Sequence, residues 1–234
     1  MMDEATGCRD LLLQQICDSV FPIGAYSHSY GLETYIQLGV VCDQASTAAW
    51  VAQQIRFPLT YTELLGMRLA YDAAAAGDLS RIAVLEAELA ALKVPRETRE
   101  ASHKLATRFI RTVRGFDALD GAGAEAFDAY AAANSQHAVC AAYGVFAALA
   151  GIDREVLLRR YLFTQVSGMV LCAVKTVPLS QTAGQEVLYR SFPLQHDAVE
   201  RALAAPEDLL GLSMPGFDIR CIEHEALYSR LYMS

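Results

Sequence analysis

The sequence predicts an all-α fold, a single domain over residues 1–234 built as a bundle of about ten helices. Apolar residues recur at helical spacing in nearly every segment between turn residues, in place of the strict alternation typical of strands. Alanine, the strongest helix former, is abundant between Ala45 and Ala150. Apolar residues make up 53% of the 234 positions, which is enough for a large core.

The first predicted helix runs from about Arg9 to Asp18 and ends ahead of Pro22 and Gly24, because proline and glycine both interrupt helices. A second, short helix is predicted from Ser27 to Leu38. The apolar side of the first helix is expected to comprise Leu12, Leu13, Ile16 and Val20.

Turn and capping residues divide the next stretch into four predicted helices. Asp43 or Ser46 caps the first, and Pro58 interrupts the chain before the second. The Gly77–Asp78 pair predicts a helix stop followed by a new cap, and Pro95 fits the first turn of the fourth helix. Their apolar positions are Trp50, Val51, Ile55, Leu64, Leu65, Leu69, Ala73, Ile82, Leu85, Leu89, Leu92, Leu105, Phe109, Ile110 and Val113.

The segment 115–123, GFDALDGAG, is predicted to be a flexible loop or hinge because of its glycines. Helices are then expected at 125–133, 136–150 and 154–177. Gly151 and Asp153 repeat the stop-and-cap arrangement before the last of these.

Small residues within the long helix, the Ser167–Gly168 pair, predict close approach of a neighbouring helix. Two shorter helices follow, one capped by Ser180 and one opened by Pro193. An irregular stretch precedes an amphipathic helix predicted at 218–232. We expect the C-terminal segment, about 206–234, to become ordered against a partner.

The bulk composition excludes several classes of protein. A net charge of -8 argues against nucleic-acid binding, which needs clustered Lys and Arg. Six cysteines without CxxC spacing indicate reduced thiols in a cytoplasmic protein. The first residues are acidic where a signal peptide is basic, and the longest apolar runs fall short of the about 20 residues that span a membrane, so neither export nor membrane insertion is expected.

One stretch, FPIGAYSHSYGLE from Phe21 to Glu33, has an unusual composition. It contains neither a GxSxG nor a phosphate-loop pattern, so catalysis and nucleotide binding are not indicated. Pro22 and Gly24 predict a turn, and Ser27 or Ser29 predicts a helix cap. Core sealing and partner contact both remain open for the amphipathic side chains Tyr26, His28, Tyr30 and Tyr35.

Metal binding has weak support. His137 and Cys140 are three apart on a predicted helix, but no third ligand is in register with them. His224 and Glu225 begin like the HExxH helix of zinc proteases, yet the second histidine is missing.

Three blocks of sequence, in the right order, resemble the UreF family of urease accessory proteins. FPIGAYSHSYGLETYI resembles the N-terminal signature of that family, YGVFAALAGI with YLFTQVSGMVLCAVKTVPLSQTAGQEVL resembles its central block, and DIRCIEHEALYSRLYMS resembles its ending. RETREASHKLATRFIR is similar to the Arg-Glu-containing helix of the family. The resemblance extends from about Leu11 to Ser234, almost the whole chain.

This resemblance implies an all-α, non-enzymatic maturation factor without a cofactor of its own. It implies a homodimeric adaptor that binds UreD (also called UreH), recruits the GTPase UreG and supports GTP-dependent nickel insertion into apo-urease. An alternative hypothesis is a nickel carrier that uses His28, His137 or Cys140 as ligands. GTP hydrolysis by this chain itself is disfavoured by the missing phosphate loop.

The resemblance also implies roles for particular residues. Lys175, beside the turn at Pro178, is the charged candidate for contact with the GTPase or for screening a nickel path. The signature surface or its scaffold is expected to comprise Pro22, Gly24, Tyr26, His28, Ser29, Gly31 and Glu33. The residues expected to become ordered against UreD are Asp218, His224, Glu225, Tyr228 and Arg230.

Overall fold

The computed structural model describes residues 4–134 and 136–234, and these residues form helices joined by short turns, with no strand among them. The all-α fold class is therefore confirmed. The α-helices are α1 (Glu4–Ile16), α2 (Leu32–Gln37), α3 (Gln44–Gln54), α4 (Leu65–Ala75), α5 (Leu79–Leu92), α6 (Arg96–Val113), α7 (Gly121–Ala133), α8 (Val139–Leu149), α9 (Arg154–Thr176), α10 (Gln181–Arg190), α11 (Phe192–Ala204) and α12 (Pro215–His224). Short 3₁₀ turns lie at Ala25–Ser27 and Glu207–Leu209, and a π-helical segment lies at Ile55–Leu64.

Helices α4 and α8 pack against each other at the centre of one compact domain. They approach so closely that a Cβ atom on Gly144 would lie 2.4 Å from the carbonyl oxygen of Met67. Aromatic rings fill the space beside α8, where Phe109 stacks on Tyr143 with ring centroids 3.9 Å apart. This central pair is apolar and buried, so the polar groups of interest lie around it.

Side-chain caps begin several helices where the sequence predicts them. Asp43 accepts a hydrogen bond from the Ser46 amide and completes a capping box with the Ser46 hydroxyl. Asp78, Asp153 and Ser180 each accept from the amide three residues on, at 2.9 to 3.0 Å. Each cap satisfies a backbone donor that the first helical turn leaves free.

Pro58 does not interrupt the helix, and the prediction that it would is wrong. The chain continues from α3 through the π-helical segment into α4. A π-helix has wider turns with bonds from residue i to i+5, and it accommodates a residue that lacks an amide hydrogen. Thr60 Oγ1 donates to the Ile55 carbonyl oxygen at 2.5 Å within this segment.

Several predicted boundaries differ from the structure. The second helix begins at Leu32, after Tyr30 and Gly31 adopt positive φ angles of 53° and 74°. Val20 is 84% exposed and does not belong to the buried side of α1. A Cβ atom on Gly168 would meet nothing within 4 Å, so the predicted close approach does not occur at that position of α9.

Two other segments also differ from their predicted form. Helix α7 begins at Gly121 and is capped by Asp120, so the predicted loop 115–123 overlaps its first turn; the mobility of that loop stays a prediction. The last helix, α12, spans Pro215–His224 in place of 218–232. Residues 225–234 are not helical, and we call them the tail.

Candidate functional site

Residues 21–31, which we call the signature turn, are joined to the tail by backbone hydrogen bonds. The Met233 amide donates to the Ser27 carbonyl oxygen at 2.9 Å. In the other direction, the amides of Ser29 and Tyr30 donate to the carbonyl oxygen of Ser234 at 2.5 and 3.0 Å. We call this set of contacts between residues 27–34 and residues 220–234 the clasp.

Glu33 is the central acceptor of the clasp. One of its carboxylate oxygens accepts from the Leu231 amide at 2.7 Å, and the other accepts from the Tyr232 amide at 3.0 Å. The second oxygen also lies 3.0 Å from Nε2 of His224. Because Glu33 is only 8% exposed, these bonds replace water around a buried polar group.

His224, which is fully buried, lies between two carboxylates. Its Nε2 faces Glu33 and its Nδ1 lies 2.8 Å from Oε2 of Glu97 on α6. Each ring nitrogen of His224 therefore has a carboxylate oxygen as its hydrogen-bond partner. Arg230 Nη1 donates to the other oxygen of Glu97 at 2.5 Å, so the tail is tied to α6 as well as to α2.

The pKa of Glu97 reflects this environment. Burial acts to raise it, but hydrogen bonds from His224 and Arg230 outweigh burial and hold the pKa below its ordinary value. The carboxylate is therefore the form that the folded structure prefers.

His28 is buried beneath the tail. Its Nδ1 lies 2.8 Å from Oγ of Ser234, and its carbonyl oxygen accepts from the Cys172 thiol at 3.6 Å. Burial lowers the pKa of His28 to about 4, and the charges of Lys104 and Arg108 act in the same direction, against a smaller opposing effect of Glu97. The folded protein therefore holds His28 as a neutral ring.

The glycines of the signature allow two close approaches. A Cβ atom on Gly31 would lie 2.9 Å from Sγ of Cys221 on α12, in addition to the strain of its positive φ. A Cβ atom on Gly24 would lie 2.4 Å from a guanidinium nitrogen of Arg108, which donates to the Ile23 carbonyl oxygen at 3.0 Å. The absence of a side chain at these two positions thus allows α12 and Arg108 of α6 to pack against the turn.

Ten of the predicted site residues are either buried or exposed. The buried residues that form the clasp are His28, Ser29, Gly31, Glu33 and His224. The exposed residues are Pro22, Tyr26, Lys175, Tyr228 and Arg230. Among these, Tyr26 is 70% and Tyr228 104% exposed, while Arg230 still reaches Glu97.

Contacts outside the clasp define the surroundings of Lys175, Glu225 and Asp218. Lys175 lies in the last turn of α9, three residues beyond Cys172, so it stands beside the clasp. Glu225 forms an ion pair with Arg96 at 2.7 Å. Asp218 is half-buried on α12, where burial raises its pKa and Lys93 opposes that shift. The structure therefore gathers the signature and the last block into one region.

Some residues in the clasp or in contact with it were not predicted from the sequence. Glu97 lies in the RETREASHKLATRFIR block, but no spacing indicates that it faces His224. Thr34 Oγ1, which donates to the Arg220 carbonyl oxygen at 2.9 Å, is likewise a long-range contact without a local signal.

The histidine and cysteine suggested as nickel ligands are engaged in internal contacts. His137 lies in the turn before α8, where its Nδ1 is 3.0 Å from both carboxylate oxygens of Glu86. Cys140 is fully buried, and burial raises its pKa well above the ordinary value. Within residues 4–134 and 136–234, no three His, Cys, Asp or Glu side chains are grouped to hold a metal ion. The carrier hypothesis stays a prediction that this geometry does not favour.

By its fold and site, the chain is an all-α protein of one compact domain, whose signature turn and tail are held together by the clasp. The UreF family model matches residues 41–192. The urease accessory protein UreF of Actinobacillus pleuropneumoniae is 35% identical over 222 residues, which cover 95% of this chain and 97% of that protein. The proteins of the same name from serotype 5b strain L20 and serotype 3 strain JL03 match to the same extent. The chain therefore belongs to the UreF family of urease accessory proteins.

The matched range of the family model includes Lys175 but neither half of the clasp. The 222 aligned residues extend well beyond that range. None of the helices described here is long and apolar enough to cross a membrane.

Proposed function

We propose that this protein is an adaptor in urease maturation, a cytoplasmic homodimer that binds UreD and the GTPase UreG and supports GTP-dependent nickel insertion into apo-urease. Family membership over 95% of the chain is the observation that carries the proposal. In this role the chain regulates or positions the GTPase and catalyses no reaction of its own.

The surface around the clasp supports a partner-binding role. Large apolar side chains on α12 and the tail are directed to solvent, among them Ile219, Ile222, Leu231 and Met233, which are 47 to 69% exposed. Tyr228 is fully exposed between them in sequence. Exposed apolar and aromatic groups of this kind are typical of protein interfaces. We assign this surface to UreD.

Lys175 is the residue we assign to UreG. It is exposed at the C-terminal end of α9 and carries a positive charge beside the clasp. A cation in this position is favoured by the helix dipole, but an exposed lysine is also available to an acidic partner surface. Lys175→Glu is expected to weaken UreG recruitment, whereas Lys104→Glu on α6 serves as the charge-matched control.

The function is tested in a strain that lacks this chain but retains the urease and the other accessory proteins. We expect urease purified from this strain to contain little nickel and to recover its nickel when the chain is supplied again. Co-purification of UreD and UreG with the tagged chain is the second readout. Urease with full nickel content in the deletion strain would contradict the proposal.

Removing Cys221 to Ser234 is a poor test of UreD binding, because Cys221 and His224 are buried in the fold. Substitutions of exposed side chains separate binding from folding. We expect Leu231→Asp to reduce UreD capture while the thermal unfolding midpoint stays within a few degrees of the wild type.

A further inference from the structure

A cavity of about 60 Å³ lies where the π-helical segment, α6, α9 and α12 meet. A cavity needs about 10–15 Å³ to hold one water molecule, so this space accommodates about four to six waters or one small molecule of similar size. Aliphatic residues from several helices line it, among them Leu59, Leu105 and Met169. The cavity is therefore large enough for a ligand of a few heavy atoms with a short apolar part.

Asp218, in the first turn of α12, is a charged residue of the cavity wall. It is half-buried, and no residue that the structure describes donates a hydrogen bond to its carboxylate or forms an ion pair with it. Burial raises the pKa of Asp218 because the carboxylate loses part of its hydration, and the charge of Lys93 opposes this shift. A partly desolvated carboxylate without a donor is stabilised by a cation that enters the cavity.

Lys93 also lines the cavity, but its positive charge is engaged by Glu63 in the same wall, with which it forms an ion pair. Burial acts to lower the pKa of Lys93, yet Glu63 outweighs burial, and Cys140 and Asp218 add smaller effects, so the pKa lies above its ordinary value. Lys93 and Asp218 each affect the pKa of the other, which places their charged groups near each other at the cavity. Since one positive charge of this wall stands against two negative charges, Asp218 supplies the excess negative charge.

Two aromatic residues, Tyr30 and Phe217, line the cavity as well. Aromatic rings attract alkylammonium groups because the ring face is electron-rich. Tyr30 has a φ of 53°, a strained conformation for a residue with a side chain, and strained residues cluster at ligand sites. Aromatic residues beside an unpaired carboxylate are the surroundings that a small ammonium ligand favours.

We infer that this cavity binds a small alkylammonium cation, whose N–H groups donate to the Asp218 carboxylate and whose short apolar part contacts Leu59 and Leu105. Such a ligand carries the positive charge and the donors that the Asp218 carboxylate lacks, together with carbon atoms that match the aliphatic wall. This site goes beyond the proposed function, because it concerns a small molecule and not a protein partner.

Occupancy of the cavity is expected to stabilise the clasp. Tyr30 belongs to the signature turn, Phe217 and Asp218 belong to α12, and all three line the cavity. A ligand that contacts both elements stabilises the arrangement in which the turn and α12 are packed together.

Ethylammonium chloride at neutral pH is the probe. Ethanol, which has the same number of heavy atoms and no charge, is the control for the cation, and sodium chloride is the control for ionic strength. With ¹³C-methyl methionine labelling, Met169 in the wall reports binding and Met67, which is fully buried elsewhere, reports the fold. We expect a saturable shift of the Met169 signal with ethylammonium, at least tenfold weaker binding of ethanol, and no saturable shift with sodium chloride.

Asp218→Asn tests the role of the carboxylate. We expect this variant to fold, with an unchanged Met67 signal, because no described residue is paired with the carboxylate that it removes. Ethylammonium binding is expected to fall about tenfold, whereas Asp208→Asn, at an exposed position before α12, leaves it unchanged. The inference would be overturned by a Met169 signal that ethylammonium leaves unmoved in the wild type, by equal binding of ethanol, or by equal ethylammonium binding in Asp218→Asn.

Discussion

Glu33 and His224 are 191 residues apart in the sequence, yet Oε2 of Glu33 lies 3.0 Å from Nε2 of His224. This contact, together with the Leu231 and Tyr232 amides, fixes the tail against α2. The exposed side chains of the tail are therefore positioned by a buried carboxyl group.

Glu33→Ala removes the acceptor of three hydrogen bonds. It leaves His224 and two backbone amides without that partner, and we expect a loss of about 3 kcal/mol in the free energy of unfolding. Urea denaturation measures the loss, and hydrogen exchange measures the release of residues 225–234. Glu100→Ala, at a carboxylate whose side chain is 47% exposed, is expected to change stability by less than about 0.5 kcal/mol. Equal effects of the two changes would contradict the role of Glu33.

His28 predicts a loss of stability in mild acid. Because its pKa falls from 6.5 to about 4 on folding, the unfolded chain binds a proton between these values and the folded protein does not. The stability that the protein has with a neutral His28 ring is fully present above pH 6.5 and is lost as the pH falls toward 4. At about 1.4 kcal/mol per pKa unit, this loss of stability amounts to at most about 3.5 kcal/mol.

The pH dependence is checked by unfolding the protein at a series of pH values. We expect His28→Asn, which cannot be protonated in this range, to flatten the stability profile between pH 4 and 6.5. His196→Asn, at an exposed position on α11, is expected to leave the profile as it is. A wild-type profile that is flat over this range would exclude the mechanism.

Gly31→Ala separates backbone strain from close packing. The new methyl group would meet Sγ of Cys221 at 2.9 Å, in a residue with a φ of 74°. Gly39 has a similar φ of 69°, but a Cβ atom there would meet nothing within 4 Å. We expect Gly39→Ala to cost about 1 kcal/mol and Gly31→Ala about 1–3 kcal/mol more. Chemical denaturation of both variants measures this difference, and equal costs would show that α12 does not need the close approach.

Local features of the sequence predict much of the fold. Asp43, Asp78, Asp153 and Ser180 begin helices at the predicted positions because a cap and its acceptor amide are within a few residues of each other. Pro58 was misassigned because proline usually breaks an α-helix, and nothing local predicts a π-helical segment around it.

The clasp depends on contacts between distant residues. Glu97 meets His224 across 127 positions, and the paired groups show no periodicity that one sequence can reveal. The resemblance to the family identified the signature and the last block as important segments. It did not predict that these two segments contact each other. That relationship follows from the packing of α2, α6 and α12.

Tyr228→Ala tests whether the tail provides a partner surface. The side chain is fully exposed. Its removal should therefore change the free energy of unfolding by less than about 0.5 kcal/mol. If Tyr228 is an anchor for UreD, its removal costs about 2 kcal/mol of binding, about a thirtyfold weaker affinity. Tyr189→Ala on α10, where the tyrosine is 70% exposed, is the matched control and is expected to leave UreD binding unchanged. Titration of UreD onto the immobilised variants measures both effects, and equal affinities for UreD in the wild type and Tyr228→Ala would remove this residue from the interface.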